Sequence, residues 1–300
     1  MIGEGIVKQK RVVRVSKLPH YILSLPAVLL SGLLILVPGF QTIYSAFTKW
    51  NGISPRKVWI GLENFQELFS DWVFWQSVKN NFLWALLFLV VPVGIALLVS
   101  VLMSYHRVGS KSFQIFYLIP YLLAPTTNAI IWLNMIFSPN AGLIGYLQKL
   151  GWNITSPLGI RNIALLGVAM VDIWHYWGFL TVIFYAAMRQ IPQDQIEAAE
   201  LEGVNGIQMF MHVFLPNIIT TVRLMMILIF IYSFMTYDYI YLLTSGGPAH
   251  ATEVLSTFGY TIAFSAFQFG KASAVYVIIG LFGGAAAVLY TLFSRKEEQV

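Results

Sequence analysis

The 300-residue chain is 58% hydrophobic and only 10% charged, with 22 Phe, 15 Tyr and 9 Trp, and its mean hydropathy is +0.72. A soluble domain of this length cannot bury that much apolar surface, so the chain belongs with membrane proteins. The formal charge of +5 comes without a basic stripe interleaved with aromatics, which excludes nucleic acid as a partner, and the absence of cysteine excludes disulfides and thiolate metal sites.

In chain order, a tail over residues 1–20 carries Lys8, Lys10, Arg11, Arg14 and Lys17. The apolar run that follows, 21–47, is too long for a secretory signal and reads as an uncleaved first span. Further runs of spanning length occupy 82–104, 113–137, 163–188, 218–244 and 272–293. Each approaches the roughly 20 helical residues that cross about 30 Å of hydrocarbon, whereas barrel strands would alternate over about 10. The expected fold is an all-α membrane protein of six transmembrane helices.

Basic residues set the orientation, because positive loops tend to stay in the cytoplasm. The N-terminal tail, Arg107 and Lys111 after the second span, Arg189 and Arg223 around the fourth loop, and Arg295 and Lys296 before the tail 294–300 share one side. Both termini and the loop 189–217 are therefore expected in the cytoplasm. Pro26, Pro38, Pro92, Pro120 and Pro125 lie inside spans, where they mark kinks or broken helices. On the other side, Trp59, Trp72 and Trp75 are mixed with charge, as in a segment at the membrane–water boundary.

The loop 189–217 is unusual. In EAAELEGVNGIQMFMHVFLP, Glu197 to Pro216, three of the chain's thirteen acidic residues, Glu197, Glu200 and Glu202, fall within six positions. Pro192 can begin a short helix whose positive end suits Asp194 and Glu197. Gly203 can stop it in the left-handed conformation. Asn205 can cap a second helix, on which Ile207, Phe210, Met211 and Phe214 form one apolar stripe before Pro216 ends it. Ala198 and Ala199 leave the first helix thin enough for close approach by another surface. On pattern alone, an ordinary interfacial pair of amphipathic helices fits as well.

Glu197-Ala198-Ala199, Gly203, Val213 and Leu215-Pro216 resemble, in order and spacing, the EAA motif of binding-protein-dependent ABC importer permeases. GLENF from Gly61, SPNAGLIGYL from Ser138, YDYIYLLTSGGPAHAT from Tyr237 and FGKASA from Phe269 resemble the sugar-uptake branch, the maltose and glycerol-phosphate type. The chain departs from that pattern at Glu202-Gly203-Val204, where the family usually has Asp-Gly-Ala. The resemblance implies the type I ABC importer permease fold in a bacterial-type cell membrane, paired with a second homologous permease, two copies of an ATPase subunit and an extracytoplasmic solute-binding protein. It implies that Glu197, Ala198, Ala199, Glu202, Gly203, Phe210, Leu215 and Pro216 couple to the ATPase. ATP and magnesium would bind that partner, since this chain has no phosphate loop; its Gly246-Gly247-Pro248 lacks the lysine and resembles the family's loop at the pore mouth.

Polar residues inside spans are costly unless they face a wet cavity or a partner. Asp172, His175, Tyr176 and Phe179 share one helical face of the fourth span; Phe234, Tyr237, Asp238 and Tyr241 repeat that spacing in the fifth; Asn128 and Trp132 sit four apart in the third. Hydrogen-bonding groups interleaved with aromatic rings suit a sugar, so these residues are candidates for a carbohydrate path, and their faces carry no Lys or Arg. The same residues also fit a plainer role, Asp238 joining two helices and Asp172 pairing with His175. The five histidines have no metal-ligand spacing, and no nucleophile motif marks the chain as an enzyme. The competing class is a secondary transporter or channel using Asp172, His175 and Asp238, for which inverted repeats would be the sign.

Overall fold

The computed structural model describes residues 18–105 and 110–297, so the basic tail through Lys17, and Arg107, lie outside the described residues. The described residues begin with α1 (Leu18–Ser31), a π-helical turn (Gly32–Leu36) and α2 (Val37–Ala46). Two two-residue strands follow, β1 (Thr48–Lys49) and β2 (Val58–Trp59), paired antiparallel with Thr48 opposite Trp59. Among the described residues all else that is regular is helical: α3 (Glu63–Ser70), α4 (Trp72–Tyr105), α5 (Ser110–Leu122), α6 (Pro125–Ile131), α7 (Leu143–Lys149), α8 (Ala164–Met188), α9 (Gln193–Leu201), α10 (Gly206–Met209), α11 (Leu215–Met235), α12 (Asp238–Thr244), α13 (Leu255–Tyr260) and α14 (Phe269–Glu297).

Among the described residues, five helices are long and apolar enough to cross a membrane, or six if a pair bent by 91° counts as one span. That pair is α5 with α6, so the span expected over 113–137 is a broken helix, as Pro120 and Pro125 within it suggest. The cause is local: Ala124 precedes Pro125 and is held extended at ψ 140°, because the proline ring disfavours the helical region for its predecessor.

The expected helix over 218–244 is also broken. α11 stops at Met235, Thr236 turns extended at ψ 129°, and α12 starts afresh. Neither Gly nor Pro sits there. Instead, helix-end carbonyls find partners elsewhere: Asn81 Nδ2 donates to Ser233 O at 2.7 Å, and Ser256 Oγ donates to Thr236 O. Tertiary donors thus satisfy groups that a helix end leaves unpaired.

α4 packs along α8 and α11, α5 crosses α8, and α14 lies against α2 and α13. Gly178 permits the α5–α8 contact, since a Cβ there would collide with the Tyr117 carbonyl. Ser100 Oγ spans α4 to α8 by donating to Thr181 O at 2.9 Å. At one end of this bundle Tyr105 meets Phe214, with ring centroids 6.0 Å apart, and Ser104 meets Met188. At the other, Asn80 donates to the carbonyls of Ala251 and Glu253, and Asn64 to those of Ala46 and Thr48. The first apolar stretch, Leu23–Ala46, has its most apolar window entirely unburied.

Candidate functional site: a central cavity and a capped elbow

A cavity of about 490 Å³ opens between α4, α8, the α5–α6 bend and the α11–α12 break. Both breaks therefore help make it. The α8 face delivers Asp172, His175, Tyr176 and Phe179 to its wall, and the α11–α12 break adds Tyr237 and Asp238. Phe179 stacks on Tyr121 at 4.5 Å. His175 Nε2 lies 3.3 Å from Leu123 O, a carbonyl freed where α5 ends, and its Nδ1 lies 3.9 Å from Asp172.

Four sequence candidates lie off the wall. Phe234 is fully buried, packed between Phe82, Phe230 and Phe282 with centroids 4.6–5.2 Å away. Restarting the helix after Met235 resets the side-chain register, so Phe234 no longer shares a face with Asp238. Tyr241 stacks on Tyr237 at 5.1 Å but does not reach the cavity. Asn128 is buried and donates to Tyr239 Oη at 2.8 Å, leaving its own Oδ1 without a partner. Trp132 packs edge-on against Trp174 at 5.6 Å. Residues that periodicity missed line the wall instead, among them Trp84, Phe88, Tyr121, Tyr232 and Tyr239; for Tyr121 the nearby Pro125 was the available signal.

At the bundle end near Tyr105, α9 and α10 form an elbow. Pro192 sits at the N-cap position of α9, and Gly203 turns the chain with φ +74°. Asn205 and Gln208 close a reciprocal capping box: Gln208 N donates to Asn205 Oδ1 at 2.9 Å and Asn205 N to Gln208 Oε1 at 2.8 Å. Asn217 Nδ2 donates to Gln195 Oε1, tying α9 to α11. Ala199, Met209 and Phe214 are buried, Phe210 and Leu215 are half-buried, and Glu197, Ala198 and Glu202 are exposed.

Two expectations change here. Pro216 does not end the second helix, because a π-helical turn over Phe210–Phe214 absorbs it and the helix continues to Met235. That turn adds a residue to the helical repeat and rotates the following side chains, so the single stripe splits. Phe214 goes inward, while Ile207 and Met211 remain 78% and 52% exposed and Leu201, at the end of α9, 90%.

The loop after α12 is pinned at the opposite end. Gly246 has φ +83° and lies against the buried Glu253, Thr252 Oγ1 donates to Gly247 O at 2.8 Å, and the Gly247–Pro248 bond is cis. Glu253 accepts from Thr257 at 2.6 Å and contacts His250 at 3.0 Å.

A family profile described as "Binding-protein-dependent transport system inner membrane component" matches residues 91–299. The chain belongs to that family. This member is 30% identical to the probable ABC transporter permease protein YurN of Bacillus subtilis, covering 94% of this chain and 99% of the relative. It is also 30% identical to the probable starch degradation products transport system permease protein AmyD of Thermoanaerobacterium thermosulfurigenes, covering 93% and 94%. The permease shares its fold, with a TM-score of 0.81 at 21% identity and over 93% and 96% of the two chains, with a bacterial ABC transporter involved in the import of the acidic polysaccharide alginate.

Proposed function

We propose that this permease is the membrane-spanning subunit of an ATP-driven importer that moves a di- or oligosaccharide, or a related polyol, handed over by an extracytoplasmic solute-binding protein. The observation that carries the reading is the elbow. Leu201, Ile207 and Met211 stand exposed on a frame held by a capping box and anchored through Ala199, Met209 and Phe214. Exposed apolar side chains on a capped, anchored mount suit a partner groove, and such a mount transmits displacement because packed interfaces switch between discrete arrangements. The partner is an ATPase subunit, present in two copies, which binds ATP and magnesium.

α5 and α6 together make one broken span, giving six, with both termini and the elbow in the cytoplasm of a bacterial-type cell. A second permease completes the pore, and the exposed apolar surface of Leu23–Ala46 is available to it and to lipid. Carbohydrate is supported by the alternation of Tyr, Trp and Phe rings with carboxylates and hydroxyls around the cavity, and by the name of the relative AmyD, a probable starch degradation products transport system permease. Co-purification tests the reading: the wild-type chain recovers the ATPase in stoichiometric amount, and Leu201→Glu with Ile207→Glu loses it. Retention by that double variant would place the docking surface elsewhere.

A further inference from the structure

Resting on the carbohydrate reading, we propose that Asp172 and Asp238 make the cavity a charge filter, accepting saccharides that bring hydroxyl or ammonium hydrogens and rejecting those that bear acid groups. The wall gathers residues from α4, α5, α6, α8, α11 and α12, and no Lys or Arg is among them. Its titratable groups besides phenols are Asp172, Asp238 and His175. Any negative charge on the wall therefore has no fixed counter-charge from this chain.

Hydrogen-bond supply points the same way. Among the described residues neither carboxylate accepts a hydrogen bond, and His175 Nδ1 lies 3.9 Å from Asp172, beyond hydrogen-bond range. The other ring nitrogen faces the Leu123 carbonyl. A carbonyl only accepts, so that nitrogen carries the hydrogen and faces away from the carboxylates. The cavity thus holds acceptors that lack donors. Sugar hydroxyls and ammonium groups supply them; a carboxylate or phosphate does not.

Charge makes the discrimination large enough to measure. A solute carboxylate about 6 Å from one aspartate, at an effective dielectric near 20, is disfavoured by roughly a hundredfold. Water in the cavity reduces this, so about tenfold is the minimum expected.

The test is equilibrium binding to the detergent-purified permease–ATPase assembly without its binding protein, so that the external receptor's preference does not enter. Maltotriose, a glucosamine trimer and a galacturonate trimer are matched in length and differ in charge. The wild type should bind the first two at least about tenfold more tightly than the galacturonate. Asp172→Asn with Asp238→Asn should bring the ratio to within about twofold, each single change should narrow it, and Asp172→Glu should preserve it. Because each ratio is taken on one preparation, loss of yield in a variant cancels. Galacturonate binding as tight as maltotriose in the wild type, or an unchanged ratio in the double variant, overturns the filter alone. Failure of all three sugars to bind overturns the carbohydrate reading as well.

Discussion

Replacing Asn81 by Leu tests whether the break between α11 and α12 is imposed from outside the helix. Asn81 is fully buried; its Nδ2 donates to Ser233 O at 2.7 Å and its Oδ1 accepts from Leu255 N at 2.9 Å. Leucine is of similar size but makes neither bond. A buried polar group left unpaired costs about 1–3 kcal/mol, so two orphaned backbone groups cost roughly 2–6 kcal/mol. Thermal unfolding of the detergent-solubilised chain should shift down by about 5–15 °C. Asn134→Leu is the control: its exposed side chain bonds only the Ile130 carbonyl of its own helix, and its effect should stay within about 0.5 kcal/mol. If the two variants melt together, the tertiary account of the break is wrong.

Gly203→Val should abolish uptake while the protein still inserts, and Gly203→Asn should retain part of it. No atom lies within 4 Å of a Cβ there, so the penalty comes from φ +74° alone, roughly 1–2 kcal/mol for most residues and less for Asn; transport assayed in vesicles, with surface labelling for insertion, checks both. Gly178→Ala should lower the melting temperature by an amount equivalent to about 1–3 kcal/mol, because its Cβ meets backbone at Tyr117 and not a movable side chain. Tyr121→Ala removes the stack on Phe179, worth about 0.5–1.5 kcal/mol beyond area, and should weaken sugar binding by roughly two- to tenfold while leaving ATPase co-purification unchanged.

Class, the apolar stretches that become the long helices and the elbow's caps were legible because they rest on local rules. Apolar run length selects a spanning helix whatever its neighbours, Pro125 breaks its own predecessor, and Gly203 and Asn205 act within one turn. The α8 face was legible for the same reason: over Ala164–Met188 the helix is uninterrupted, so Asp172, His175, Tyr176 and Phe179 keep the spacing that periodicity assumes.

Three features depend on packing and have no sequence signal of that kind. Residues 218–244 read as one helix because nothing in them breaks it. The donors that stop α11, Asn81 and Ser256, lie far away in the chain and arrive only when α4 and α13 dock. The same break removes Phe234 from the cavity and leaves Tyr237 and Asp238 on its wall. Likewise the π-helical turn at Phe210–Phe214 lets Pro216 pass through a continuing helix and sends Phe214 inward against Tyr105. By itself, then, the sequence determined the membrane class, the apolar stretches that become the long helices and the loop that carries caps, all consequences of interactions within a few residues. The tertiary structure alone decided which aromatic and polar side chains share the cavity, because helix ends are set by hydrogen bonds from distant residues and those ends reset the register of everything after them.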